Sequence, residues 1–274
     1  MGNDLDRIVP LQTGGTKPAL YCVHAVSGSA YLYAGLARLL GADQPVYGFE
    51  APGFDNDRTP VRCLSALAAE YTGIIREFQP EGEYQLLGWS LGGVLVFDMA
   101  KRLVAAGATV YSLILVDAGL PEVMDLPPER EILRRYVRDM MGMSDASPPR
   151  LEAIFNGWPE DVDPTMVFEA VEKTGILPEE IDADLLANQY AVFRAHLEAF
   201  YSVAVTGTYG GPTVHILAAE SPAEDMRWDR VAPDLTEHTV PGTHHSIWTG
   251  DSLVAMSEIV HQSLRSQRKI DVHS

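Results

Sequence analysis

Short apolar runs alternate with longer segments of helical periodicity along most of the chain, and this alternation limits the possible folds more than any other feature. Most of the runs are too apolar for strands with one face in water, so we expect both faces of the sheet to be covered. The pattern predicts an α/β fold with a mostly parallel central sheet flanked by helices. The predicted strands are residues 19–25, 45–50, 84–87, 110–116, 213–219 and 235–240.

Between the strands, apolar residues recur at the spacing of amphipathic helices. The clearest case is 64–78, where Leu64, Leu67, Tyr71 and Ile75 share one face of the predicted helix. The other helices predicted around the sheet are residues 29–40, 92–106 and 252–265.

The alternation stops between about residues 120 and 206, where no convincing strand occurs. Helical periodicity continues there, and seventeen acidic but only seven basic residues fall between 121 and 200. We therefore predict an α/β core formed by residues 1–120 and 206–274, with 121–205 inserted above the sheet as a helical lid. The helices predicted in this lid are residues 129–141, 150–156, 165–173 and 182–203.

The formal charge of −18 restricts the partners of the chain. A strongly acidic surface repels nucleic acid and anionic lipid, and no apolar run is long enough to cross a bilayer. Two cysteines make no disulfide framework, and no Cys/His cluster suggests a metal site. We expect a soluble, cytoplasmic protein that binds neither nucleic acid nor a membrane and holds no metal.

The sequence GWSLGG at residues 88–93 matches the G-x-S-x-G pattern of a nucleophile elbow. An apolar strand precedes it and a predicted helix follows, which is the context that the pattern requires. Gly88 and Gly92 allow the chain to reverse tightly, and the turn exposes the hydroxyl of Ser90 at the helix N-terminus. The amide of Leu91 can then face an oxyanion. The alternative is an ordinary glycine-rich turn with a capping serine, which does not require a preceding buried strand and a following helix.

A serine hydroxyl needs a base, and in this arrangement the acid and then the histidine follow the serine along the chain. Of the eight histidines, we favour His244, which follows the last predicted strand; His245 is the alternative. For the acid we favour Asp117, which directly follows the strand at 110–116. Glu220 and Asp225, after the strand at 213–219, also satisfy the order.

A second oxyanion donor is expected from the small-residue loop after the first predicted strand. We nominate the backbone amide of Val26, beside that of Leu91. Trp248, Met140 and Met141 are candidates for the wall of a substrate channel, although core packing explains such residues equally well.

The chain resembles the thioesterase domains that end nonribosomal peptide synthetases and polyketide synthases, members of the α/β-hydrolase superfamily. The resemblance is carried by LYCVH at 20–24, PVYG at 45–48, GWSLGG at 88–93, LVD at 115–117 and GTH at 242–244. In that family the acid follows the strand after the nucleophile helix, which supports Asp117. The stand-alone editing thioesterases are similar but place their acid later.

The resemblance implies that an acyl or peptidyl chain is transferred to Ser90 from the 4′-phosphopantetheine thiol of a carrier protein. Release by hydrolysis or macrocyclisation then follows, without a bound cofactor. The alternatives are a stand-alone editing thioesterase, a general carboxylesterase of the same fold, or a binding protein that has lost catalysis. The last is disfavoured because serine, acid and histidine are all present in order.

The resemblance also raises the question of how a carrier protein would meet so acidic a chain. Arg130, Arg134 and Arg138 are spaced to share one face of a predicted lid helix. One hypothesis is that they bind the carrier protein or the pantetheine phosphate. The alternative is that they form ion pairs with nearby acidic residues.

Overall fold

A computed structural model describes residues 8–55, 58–140, 149–175, 181–222 and 226–266. Within these ranges one seven-stranded sheet runs in the order β1-β3-β2-β4-β5-β6-β7, with β1 antiparallel to β3 and the other neighbours parallel. This confirms the predicted α/β class and the mostly parallel sheet. The strands are β1 (Ile8–Gln12), β2 (Leu20–Val23), β3 (Val46–Phe49), β4 (Glu83–Trp89), β5 (Thr109–Val116), β6 (Thr213–Ala218) and β7 (Leu235–Val240).

Strand β1 is missing from the six strands predicted from the sequence. It lies at the edge of the sheet, only Ile8 of its five residues is buried, and Pro10 lies at its centre. An edge strand tolerates proline and exposed side chains because the backbone groups on one of its sides form no hydrogen bonds with a neighbouring strand. Such a strand has neither the apolar run nor the alternation by which the other six are found.

Helices cover both faces of the sheet. Leu113 and Leu115 of β5 face the cluster built with α2 and α3, whereas Ile114 and Val116 face the cluster built with α1 and α8. Successive side chains of a strand point to opposite faces, so a strand buried on both sides must be apolar throughout. The helices flanking the sheet are α1 (Ala34–Leu40), α2 (Leu64–Phe78), α3 (Leu91–Ala105) and α8 (Gly250–Ser266).

The described residues between β5 and β6 form four further helices, in the interval 121–205 for which the sequence predicts a lid, and we name these helices the lid after that prediction. Two of them begin at an aspartate whose carboxylate accepts a backbone amide, Asp163 from Thr165 (2.9 Å) and Asp182 from Leu185 (2.8 Å). A separate apolar cluster built around Tyr136, Phe168 and Phe193 holds the lid together. The lid helices are α4 (Glu129–Met140), α5 (Pro149–Gly157), α6 (Pro164–Glu172) and α7 (Ala183–Tyr201).

Helix α7 is one of the lid elements that contact the core. Val26, in the loop after β2, packs against the lid cluster, and Arg62 pairs with Glu198 of α7 at 2.7 Å. In the described ranges no helix is both long and apolar enough to span a membrane.

Candidate active site

Ser90 lies on a sharp turn between β4 and α3. Its backbone has φ 54° and ψ −124°, a conformation that L-residues with a side chain rarely adopt and that turns the residue out of the strand. A Cβ atom at Gly88 would overlap the carbonyl of Gly92, and one at Gly92 would overlap the carbonyl of Val23. Glycine at both positions is therefore a steric requirement of the turn, as the sequence pattern indicates.

Asp117 directly follows β5 and is buried, with 1% of its surface exposed. One carboxylate oxygen accepts the Ala218 amide at 2.8 Å. The other accepts the Ser221 hydroxyl at 2.7 Å and faces Nδ1 of His244 at 2.6 Å. Burial alone would raise the pKa of this carboxyl, but the hydrogen bonds and the charge of His244 outweigh it and lower that pKa below its ordinary value. Asp117 is thus held as a carboxylate beside the imidazole.

His244 lies in the loop after β7, at the edge of the sheet where β4 and β5 also end. Its ring packs against that of Trp89 with 4.8 Å between centroids, and about a third of its side chain is exposed. Because Nδ1 faces Asp117, an N–H there leaves Nε2 as the acceptor nitrogen. The imidazole is therefore both oriented and open to the cavities beside it.

Two cavities meet at Ser90 and His244. The first, of about 360 Å³, lies under the lid and is mainly apolar; it includes Val26, Leu91 and Phe193 in its lining. The second, of about 410 Å³, lies on the other side, between the segment after β5 and the segment after β6. A chain attached to Ser90 can therefore lie in one cavity while a leaving or entering group occupies the other.

Val26 and Leu91 line the same cavity as Ser90. Leu91 is the first residue of α3, and the first amides of a helix have no intrahelical acceptor. Both residues suggested as oxyanion donors from the sequence are thus brought to the serine.

The structure does not place the suggested channel residues in either cavity lining. Trp248 is 6% exposed and packs edge-on against Trp89 and Tyr33, and Met140 packs against the lid cluster. Packing accounts for the positions of both side chains, and their role in a substrate channel stays a prediction. Met141 lies outside the described residues.

The alternative base and acid have different surroundings from His244 and Asp117. His245 also lines the first cavity, but its Nε2 lies 3.1 Å from Asp139 of α4. Glu220 is exposed, and Asp225 lies outside the described residues.

Neither the His245–Asp139 contact nor the phenyl rings of Phe193 and Phe200 on the cavity wall was predicted from the sequence. The apolar spacing of 193, 197 and 200 on α7 is the signal that can reveal such a wall.

The arginines of α4 form contacts within the lid. Arg134 contacts Glu131 (3.0 Å) and Glu152 (3.6 Å), and Arg138 contacts Glu152 at 2.7 Å. Arg130 donates to the Trp158 carbonyl at 2.6 Å. These contacts join α4 to its neighbours, so ion pairs and hydrogen bonds within the lid are sufficient to explain why the arginines share one helix face.

A family model described as "Thioesterase domain" matches residues 18–264 of the chain. The chain belongs to the thioesterase domain family. A curated relative of this thioesterase domain is a dimodular nonribosomal peptide synthase of Bacillus subtilis, 45% identical over 133 residues. The match covers 47% of this chain and 6% of the synthase, so the domain spans a small part of that relative's length.

Solved structures show the same fold. A four-domain nonribosomal peptide synthetase, AB3403, aligns with a TM-score of 0.78 at 22% identity, over 93% of this chain and 20% of that one. The NocB thioesterase domain, in covalent complex with a fluorophosphonate nocardicin G analogue, aligns with a TM-score of 0.66 at 26% identity, over 94% and 99% of the two chains. The α/β-hydrolase fold predicted from the resemblance is confirmed.

Proposed function

We propose that Ser90, Asp117 and His244 form the catalytic triad of a thioesterase that works through an acyl-serine intermediate. The 2.6 Å contact between Asp117 and His244, beside the strained turn at Ser90, is the observation that carries this proposal. The carboxylate fixes the imidazole tautomer and stabilises the imidazolium that forms during the reaction.

In the first half-reaction, Oγ of Ser90 attacks the thioester carbonyl carbon while Nε2 of His244 takes its proton. The carbonyl oxygen becomes an oxyanion, which the amides of Leu91 and Val26 stabilise. When the carbonyl reforms, the carbon–sulfur bond breaks and His244 gives its proton to the departing sulfur. The products are the acyl-serine and a free thiol.

In the second half-reaction, His244 takes a proton from the incoming nucleophile, which attacks the carbonyl carbon of the acyl-serine. The bond between this carbon and Oγ of Ser90 then breaks, and His244 returns the proton to Oγ. Water releases a free acid, whereas an internal amine or hydroxyl of the chain releases a macrocycle. The largely apolar cavity under the lid suits an acyl or peptidyl chain and limits the entry of water.

We infer that the natural substrate is carried on the 4′-phosphopantetheine thiol of an acyl or peptidyl carrier protein. The support is the similarity to nonribosomal peptide synthases and the second cavity at Ser90, which offers a path for a long thiol arm. The proposed reaction needs no cofactor bound to the domain. The free cysteines Cys22 and Cys63 fit a reducing, cytoplasmic setting.

Labelling with a fluorophosphonate tests the nucleophile. Wild type should be modified with loss of activity, Ser90→Ala should not react, and the matched control Ser65→Ala, at the exposed start of α2, should react as wild type does. Labelling of Ser90→Ala at the wild-type rate would assign the nucleophile to another residue.

The substrate class is tested by comparing rates on three substrates with one acyl chain: a carrier-bound thioester, an N-acetylcysteamine thioester and an oxygen ester. A carrier-dependent thioesterase should prefer them in that order, and mass spectrometry of the product distinguishes acid from macrocycle. Equal rates on the oxygen ester and the carrier-bound thioester would favour the general carboxylesterase. Preference for short, incorrect acyl groups on the carrier would favour the editing type.

A further inference from the structure

Two buried histidines meet where the lid joins the core. His24 follows β2, His196 lies on α7, and both side chains are fully buried. Their rings stack with 4.9 Å between centroids and 10° between planes. Neither residue belongs to the triad, yet the pair lies beside the loop that holds Val26.

Each imidazole faces a backbone carbonyl of this loop. Nδ1 of His24 lies 2.7 Å from the Ala25 carbonyl oxygen, and Nδ1 of His196 lies 2.9 Å from the Val26 carbonyl oxygen. The other nitrogen of His24 lies 2.6 Å from the Tyr71 hydroxyl. Nε2 of His196 is buried without a hydrogen-bond partner among the described residues.

Burial keeps both rings neutral. Loss of solvent, helped for His24 by the neighbouring ring, lowers the pKa of His24 to about 3 and that of His196 to about 4. A neutral imidazole has one N–H, and a carbonyl oxygen can only accept. Both N–H groups therefore lie on Nδ1 and donate to the carbonyls, while His24 Nε2 accepts from Tyr71.

These two hydrogen bonds restrain the peptide groups on both sides of the Val26 Cα atom. The Ala25 carbonyl and the Val26 N–H belong to one planar peptide group, so holding the carbonyl also fixes the direction of the N–H. The Val26 carbonyl belongs to the next peptide group, which His196 holds from the lid. Because the two peptide groups share the Val26 Cα atom, release of the second lets the loop shift and carry the Val26 N–H with it.

We propose that His196 is a positioning residue: from lid helix α7 it anchors the Val26 carbonyl, and with it the loop in which the preceding peptide group, held by His24, carries the Val26 N–H as oxyanion donor. This inference rests on the proposed function, in which Val26 stabilises the oxyanion. It gives the lid a part in assembling the site as well as covering it.

The unpartnered Nε2 of His196 supports this role over simple packing. A buried polar atom without a partner costs about 1–3 kcal/mol, and an apolar side chain of similar size would avoid that cost. What only the imidazole supplies here is the Nδ1–H group at the Val26 carbonyl.

Two substitutions separate positioning from packing. His196→Asn keeps an N–H donor close to the place of Nδ1, whereas His196→Leu fills similar space without a donor. With an octanoyl N-acetylcysteamine thioester, we expect kcat to fall about 10- to 100-fold in His196→Leu and less than about 5-fold in His196→Asn, with KM little changed. This loss lies below that for outright removal of an oxyanion donor.

A lid control is Tyr136→Phe, which removes the hydrogen bond from Tyr136 to the Leu186 carbonyl, a bond that involves neither Val26 nor His196. If His196→Leu acts only by loosening the lid, then Tyr136→Phe with a similar fall in Tm should lose as much kcat. Positioning predicts instead that Tyr136→Phe keeps near-wild-type kcat, and that fluorophosphonate labelling slows in His196→Leu alone.

The inference is overturned if His196→Leu and His196→Asn lose kcat equally, or if His196→Leu keeps wild-type kcat. Measuring Ser90→Ala in the same assay distinguishes failure of this inference from failure of the proposed function. An inactive Ser90→Ala with a fully active His196→Leu rejects only the role of His196. An active Ser90→Ala rejects the triad itself.

Discussion

The carboxylate of Asp117 and the imidazole of His244 lie 2.6 Å apart, although 127 positions separate them in the sequence. The sheet brings them together, since β5 and β7 run parallel and end at the same edge with β6 between them. Strand β6 takes part directly, because the Ala218 amide at its end donates to Asp117 at 2.8 Å. The acid is therefore fixed by backbone as well as by its partner.

Asp117→Asn should keep the fold but lower kcat about 10³- to 10⁴-fold, because the amide no longer stabilises the imidazolium and favours the wrong tautomer of His244. Single-turnover acylation with a chromogenic thioester measures the effect. The matched control is Glu220→Gln, the same change of acid to amide at the exposed alternative position. The kcat of Glu220→Gln should stay within about 2-fold of that of wild type. A large loss of kcat in Glu220→Gln, with an active Asp117→Asn, would identify Glu220 as the acid instead of Asp117.

Gly92→Ala should damage both stability and activity, because the added Cβ would overlap the carbonyls of Val23 and His24. We expect a loss of about 1–3 kcal/mol in the free energy of unfolding and a loss of fluorophosphonate labelling as Ser90 moves. Chemical denaturation and labelling measure the two effects.

Gly73→Ala is the control for this prediction. Its Cβ, on the exposed side of α2, would meet nothing within 4 Å. It should raise the free energy of unfolding by up to about 1 kcal/mol with full labelling. Equal behaviour of the two variants would contradict the steric account of the turn.

Most of the sheet and the residues of the proposed triad can be predicted from the sequence because their signals are local. The apolar run at 110–116 predicts β5 directly, and Asp117 follows it without an intervening residue. The GWSLGG turn likewise places Ser90 through the requirements of its own glycines. Such features depend on a few neighbouring residues, so they can be read from the chain alone.

The residues that the sequence does not reveal owe their role to distant contacts. His196 looks like one residue of an amphipathic helix, and its partner Val26 lies 170 positions away. Trp248 is a related case: its position near His244 in sequence is compatible with a channel wall or with core packing, and in the structure its ring packs against Tyr33 and Trp89. Proximity along the chain does not tell which face of the last loop a side chain occupies.

Reversing two lid arginines together, Arg134→Glu with Arg138→Glu, should slow carrier-bound and N-acetylcysteamine thioesters by the same factor. The new carboxylates would face Glu131 and Glu152, and this repulsion between α4 and α5 disturbs the lid whichever substrate is used. A fall in Tm of a few degrees should accompany it. Selective loss of the carrier-bound reaction would instead show that these arginines dock the carrier.

The His24–His196 pair should make the protein less stable as the pH falls below 6.5. Both histidines take a proton in the unfolded chain near the ordinary pKa of 6.5 but resist it in the folded state down to about 3 and about 4. Between pH 5.5 and 4 each should therefore reduce the free energy of unfolding by up to about 1.4 kcal/mol per pH unit, and the slope due to His196 should fall to about half of this at pH 4, where its folded form is half protonated. Urea denaturation across this range should show His196→Leu with a slope shallower by about that amount, since it removes one proton site. Tyr136→Phe removes no group that titrates there and should keep the wild-type slope, whereas parallel curves for wild type and His196→Leu would mean that the folded state admits the proton.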